Sequence, residues 1–347
     1  MNRKSDEILD ILLSHVKRKY KDDISLVCCY GSYVNGTAHE MSDVDFYFVP
    51  SNERAYKAAM TFIIEGIGYD FWPMTWERLE RIARFEDTFV SLLEGSKIVY
   101  CSSDEALERY MQLQKQIAAV TDSPINKDML SKAQLHLDKA SKYYFQLSCA
   151  SDGKHINLNA GGILLEVSDA LCLMNNRYFK YGTKKHLEEI LGFPYLSKDF
   201  QEDYLSITHM RNGPDTIKSC ERLIVNAQQL LDRLLKSVTQ KQNPSALTGL
   251  YEEICSNWNK LYAACEHGDA NLAYITGVYL QSCLDEALNS CGSVTIDFLS
   301  AYNSHDLSGY KKAAGEAERL FLSFLKSNHI PVNKYETAEE FKAALQC

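Results

Sequence analysis

The stretch from Ser25 to Val49, SLVCCYGSYVNGTAHEMSDVDFYFV, constrains this chain more than any other. The apolar run Ser25 to Tyr30 predicts a buried strand that stops at Gly31-Ser32. A short turn-and-helix segment follows, and Asp43-Val44-Asp45 then opens a second apolar run, Phe46 to Val49. Side chains two apart on a strand share a face, so Asp43 and Asp45 should project together at the mouth of that strand. Convergent carboxylates suit a hard divalent cation, and magnesium takes one or two of them together with substrate phosphates. The Gly31-Ser32 turn leads toward a helix N-terminus, whose backbone N–H groups hold phosphate. A phosphate cradle beside a metal pair is a site for phosphoryl or nucleotidyl transfer. The plainer alternative is a tight turn carrying two exposed acids.

A chain of 347 residues suggests two or three domains. The formal charge of −9 argues against a general nucleic-acid binder, which carries a basic patch or stripe. It suits a cationic or neutral small substrate better. There are eleven cysteines, with no CxxC pair and no zinc spacing. Cys28, Cys29, Cys149, Cys172 and Cys283 fall in apolar stretches, where a free thiol acts as a small hydrophobe. The N-terminal stretch has amphipathic helical spacing and no signal-like apolar core. No apolar run is long enough to suggest a bilayer span. The expectation is a soluble, cytoplasmic protein of a reducing compartment with no membrane partner. A homodimer stays open.

Apolar residues at helical spacing predict a helix over 6–20. Residues 53–65 also read as helical, and 67–72 as a strand stopped by Pro73. Thr75 is placed to cap a helix over WERLERIAR. Residues 88–94 continue a helical pattern to Gly95, and Lys97 to Cys101 reads as a short strand. About four strands therefore alternate with helices in the first hundred residues. Beyond Ser102-Ser103-Asp104 strand signals nearly vanish. Helices are expected near 104–119, 126–149, 155–176, 184–191, 198–210 and 214–239. TQKQNPS, 239–245, reads as a linker, and 246–347 is helical again. The expected fold class is α+β, a small mixed-sheet domain over 1–103 followed by an all-α region. That region divides into 104–241 and an additional helical part, 242–347, of unknown role.

The first hundred residues resemble the nucleotidyltransferase superfamily related to DNA polymerase beta. The resemblance is carried by Gly31-Ser32, by Asp43-x-Asp45 and by a later strand acid, Asp70. The helical partner that follows is similar in kind and order to the antibiotic nucleotidyltransferases of kanamycin and lincosamide type. The resemblance implies transfer of a nucleoside monophosphate from an NTP to a hydroxyl of a small molecule, as in antibiotic resistance. Asp43, Asp45 and Asp70 would then be catalytic and metal-binding, holding one or two magnesium ions, with Asp70 on the acceptor side. Gly31 and Ser32 would bind nucleotide phosphate. In the kanamycin-type enzymes a carboxylate of the helical domain takes the acceptor proton; here Glu166 and Asp169, three apart on one helix, are the candidates. A salt-bridged acid at an interface is their plainer reading.

Lys184 and Lys185 are the candidate triphosphate contacts, against the plainer reading of a solvated helix start. Trp72, Trp76 and Trp258 are expected to be packing residues. The chain departs from the family where an Arg or Lys often stands between the Ser and the second Gly. Here Tyr33-Val34-Asn35 precedes Gly36, so a basic contact to the triphosphate is missing or comes from elsewhere. Two alternatives remain: AMP transfer to a protein or RNA acceptor, and a nucleotide-binding scaffold that does no chemistry.

Overall fold

Five strands form one mixed sheet in the order β3-β4-β2-β1-β5. The computed structural model describes residues 3–34, 36, 44–209, 213–238, 244–291 and 295–346. In chain order, α1 (Arg3–Lys19) leads into β1 (Ile24–Tyr30) and β2 (Asp45–Pro50). A 3-10 turn, Glu53–Ala58, precedes β3 (Met60–Ile64), β4 (Ile67–Pro73), α2 (Trp76–Ala83), α3 (Ser91–Glu94) and β5 (Lys97–Cys101). Helices then take over: α4 (Asp104–Thr121), α5 (Lys127–Ser148), α6 (Gly153–Met174), α7 (His186–Leu191), α8 (Phe200–Thr208) and α9 (Gly213–Val238). They are followed by α10 (Leu250–Glu266), α11 (Ala270–Cys291), α12 (Leu307–Ser327) and α13 (Ala338–Ala344). The chain is α+β, as expected.

Both faces of the sheet are covered, which explains why β1 and β2 read as continuous apolar runs rather than alternating ones. One face carries Val27, Cys29, Phe46, Phe48, Tyr69 and Phe71, and packs under Ile8, Leu12 and Val16 of α1. The other carries Leu26, Cys28, Tyr47 and Val49, and merges into a single core with residues from α2 through α9. The sheet and the helices through α9 thus form one compact unit, residues 1–239. Residues 240–347 form a second, with its own core around Trp258, Phe298, Tyr310 and Phe321.

The helical expectation for 53–65 is wrong for its second half. Only Glu53–Ala58 is helical, as a 3-10 turn, and Met60–Ile64 is an edge strand. The cause is local. Glu65 and Gly66 have φ of 52° and 80°, and two successive residues at positive φ make the tight turn that suits a two-residue hairpin. That turn folds Thr61 against Asp70 and Phe62 against Tyr69 in an antiparallel ladder. The pattern over 88–94 resolves into a single helical turn, Ser91–Glu94. Cys149 is exposed, not packed into an apolar surface.

Helix α6 is also long and apolar enough to cross a membrane by length and composition, contrary to the reading of the sequence. Over half of that apolar window, 56%, is buried inside the protein. Val167, Ala170, Leu171 and Met174 of α6 belong to the core shared with α5 and α9.

A buried hydroxyl network ties the sheet to the helical layer. Tyr47 Oη of β2 and Tyr110 Oη of α4 lie 2.8 Å apart, and Tyr110 Oη donates to the Leu93 carbonyl at 3.1 Å. Ser96 Oγ bonds the same Tyr110 hydroxyl. Deleting only the hydroxyl, Tyr110→Phe, should cost about 1 kcal/mol. Tyr110→Ala should cost about 3–5 kcal/mol, since it also opens a cavity. Chemical denaturation followed by circular dichroism reads both.

Candidate active site

The register of the three central strands builds the site. In the antiparallel β1–β2 ladder Tyr30 sits opposite Asp45. In the parallel β2–β4 ladder Phe46 pairs with Phe71 and Tyr47 with Trp72. Asp45 and Asp70 each stand one residue before the first pair of that ladder, on adjacent strands, and Asp45 lines the cleft described below whereas Asp70 does not. Both carboxylates leave the sheet on the face that carries Tyr47 and Trp72. Asp70 is solvent-exposed and Asp45 half-buried.

Gly31 ends β1 and is required twice over. Its φ is +74°, a conformation L side chains rarely adopt. A Cβ at Gly31 would stand 2.3 Å from Asp45 Oδ2. The absent side chain is the space that the Asp45 carboxylate occupies. Gly31 to Val34 form a turn. The helical segment expected beyond it, and Asp43 with it, lie outside the described residues.

Asp45, Gly31 and Ser32 line a cleft of about 560 Å³. Tyr30 and Trp72 are also in its wall; Trp72 Nε1 donates to Tyr30 Oη at 3.1 Å, and both rings pack on Tyr47. Trp72 therefore packs as expected and also faces the cleft. The remaining wall comes from α2, from the segment 89–95 and from the loop 180–184. Glu189 of α7 shapes that loop, accepting the Lys180 N–H at 2.8 Å and the Tyr181 N–H at 3.1 Å. Lys180 and Lys184 line the cleft; Lys185 does not, and pairs with Glu188 at 3.5 Å instead.

The two helical acids sit elsewhere. Glu166 faces α5, where its Oε2 is 2.6 Å from His136 Nδ1 and 3.8 Å from Lys139 Nζ. Burial holds His136 below the usual histidine range, against the opposing pull of Glu166. Asp169 lines a small separate cavity together with Asp87, Cys172 and Arg177. Burial, reinforced by the nearby Glu166 charge, pushes the Asp169 carboxyl up to about 7. Neither acid lines the cleft that holds Asp45.

Arg78 is a lining residue that sequence reasoning missed. It lies in the first turn of α2, where its backbone N–H is capped by Thr75 Oγ1 at 3.2 Å. No spacing motif marks it.

The donors at the sheet edge fit a hard divalent cation. They are carboxylate oxygens only, adjacent in register, and one of them is admitted by the missing Gly31 side chain. Among the described residues no three His, Cys, Asp or Glu side chains are grouped as a metal site; Asp43 is outside that set. Gly31→Ala should lower the unfolding free energy by about 1–2 kcal/mol through the left-handed backbone alone. It should also displace the Asp45 carboxylate. Denaturation and a crystal structure of the variant check the two effects.

Comparison with known proteins bears on the family. The nucleotidyltransferase domain family model matches residues 9–145, which contain the whole sheet. A Methanocaldococcus jannaschii protein named "Putative protein adenylyltransferase MJ1305" is 30% identical over 122 residues, covering 32% of this chain and 82% of that protein. A nucleotidyltransferase-like protein from Exiguobacterium sibiricum 255-15, of known crystal structure, superposes with a TM-score of 0.40 at 8% identity, over 68% of this chain and 81% of that one. With a relative matched over most of its own length, and with the strand register that gathers these carboxylates, the chain belongs to the nucleotidyltransferase family and is a nucleotidyltransferase.

Proposed function

We propose that this protein transfers a nucleoside monophosphate from an NTP to a hydroxyl group, with divalent magnesium, and that the acceptor is a protein side chain. The observation that carries the reading is the Asp45 carboxylate set against Gly31-Ser32 in the wall of a cleft that also holds lysines, with Asp70 exposed on the neighbouring strand. The cleft is of the size that takes one nucleotide-like ligand. The acceptor would then be presented at the mouth, which suits a hydroxyl carried on a protein surface. The name of the Methanocaldococcus jannaschii relative points the same way.

In the reaction the acceptor oxygen bonds to the α-phosphorus. The bond from that phosphorus to the bridging oxygen breaks, and pyrophosphate leaves with the electron pair. The acceptor proton passes to a carboxylate, for which exposed Asp70 is the best-placed group. Asp45 and Asp70 would hold the metal, with Asp43 two residues upstream as the third ligand. When bound, magnesium neutralises charge on the attacking and leaving oxygens. Ser32 and the Gly31 turn would receive the phosphates, and Lys184 would neutralise their charge from the opposite wall.

A second reading keeps the chemistry and changes the acceptor to a small cationic molecule with hydroxyl groups, an aminoglycoside or a lincosamide. The chain's net charge of −9 favours it. One experiment separates the two. With α-labelled NTP, magnesium and either a protein mixture or an antibiotic panel, the label should appear on a protein band and not on a small compound. γ-Labelled NTP should label nothing, since that phosphate leaves in pyrophosphate. Asp45→Asn and Asp70→Asn should each lower transfer by about 10³-fold or more, and a chelator should abolish it. Full activity in Asp45→Asn would refute the assignment.

A further inference from the structure

No Lys or Arg stands at 33–35 beside the Gly-Ser turn, and Arg78 lines the same cleft. Arg78 Nε donates to Asp87 Oδ2 at 3.0 Å, and its guanidinium carbon lies 5.5 Å over the Trp72 ring. Asp87 is fixed in turn, because its Oδ1 accepts the Phe89 N–H at 3.0 Å. The anchor uses only Nε. The two terminal nitrogens of Arg78 have no partner among the described residues, and the residue lines the cleft with Gly31, Ser32 and Asp45. Salt bridges usually consume the guanidinium fork; this one leaves it open.

A planar fork, stacked on an aromatic ring and held from behind by one nitrogen, is preorganised for bidentate contact with phosphate oxygens. The neighbouring charges support the same ligand. Lys180 and Lys184 line the cleft, and neither has an ion pair among the described residues. By contrast, a larger groove along α2, α4 and α5 has its cations matched to acids. There Arg84 pairs with Glu86, Arg109 with Glu80 and Lys132 with Asp128. Of these two hollows, the one that Asp45 enters is the one whose lysines lack an acidic partner among the described residues.

We infer that Arg78 grips the β- and γ-phosphates of the NTP, and that Asp87 is its positioning residue. The inference rests on the transferase reading above and adds the element that replaces the missing basic residue. Asp87 acts at one remove. It aims the fork and, through the Phe89 N–H, ties it to the segment 87–89 next to the cleft. Lysine cannot substitute, since a single ammonium offers neither the stack on Trp72 nor two parallel donors.

Calorimetry on the full chain tests this with a non-hydrolysable ATP analogue, inorganic pyrophosphate and adenosine as probes, in magnesium. Arg78→Gln should weaken the ATP analogue and pyrophosphate by roughly 10–100-fold while leaving adenosine unchanged. Arg78→Lys should recover only part of that loss. Asp87→Asn keeps an oxygen for the Phe89 N–H and loses the charge, so it should reproduce a smaller share of the phosphate-specific loss. In turnover these variants should raise the KM for NTP more than they lower kcat. Thermal unfolding checks that each variant is folded.

Equal losses for adenosine and pyrophosphate would mean a structural role and would overturn the assignment. So would an Arg78→Gln protein that binds the ATP analogue like the parent while Asp45→Asn is inactive, an outcome that leaves the transferase reading standing. An active Asp45→Asn protein would instead bring down the reading on which the inference rests.

Discussion

Everything at the candidate site depends on the register of β2 between β1 and β4. The pairing of Tyr30 with Asp45 brings the Asp45 carboxylate against Gly31, and the pairing of Phe46 with Phe71 puts Asp70 on the strand beside it. A slip of one residue would send Asp45 to the face under α1 and bring Phe46 into the cleft. Burial on both faces opposes such a slip, because Phe46 and Phe48 fill one core while Tyr47 and Val49 fill the other. The same apolar residues that hold the sheet together therefore aim the carboxylates.

Charge is divided across the cleft. The Asp45 carboxylate stands at the sheet edge, and cations stand on α2 and on the loop that Glu189 shapes. An NTP with its metal presents the complement of that division: a cation near the α-phosphate and a chain of negative oxygens beyond it. The sheet and the helices through α9 share one core, which fixes the two walls relative to each other. The Tyr47–Tyr110 contact is a polar stitch in that core, joining the strand of Asp45 to α4.

Strands β1, β2 and β5 were legible in sequence because each is an apolar run of strand length bounded by turn residues. The helices were legible from periodicity and from caps such as Thr75, whose side chain accepts the expected backbone N–H group. β3 was not legible, since Met60–Ile64 continues a pattern that also fits a helix and its hairpin turn uses Glu65 at positive φ. At the site, Gly31, Ser32 and Asp45 carried signals of spacing, and Asp70 was marked by the resemblance as a later strand acid. Arg78 carried none, because it is brought to the cleft by the packing of α2 on the sheet and oriented by Asp87, nine residues away in sequence. Glu166 and Asp169 illustrate the converse. Their shared helical face was legible, but the face that α6 turns toward the cleft is a tertiary property, and Glu166 pairs with His136 on α5.

The most direct test is a crystal of the full chain grown with manganese and a non-hydrolysable NTP, examined by anomalous scattering. The account predicts a manganese peak bonded to both Asp45 and Asp70, with the nucleotide phosphates completing its shell. A peak bonded to neither carboxylate, or Asp70 turned away from a metal held by Asp45 alone, would contradict it.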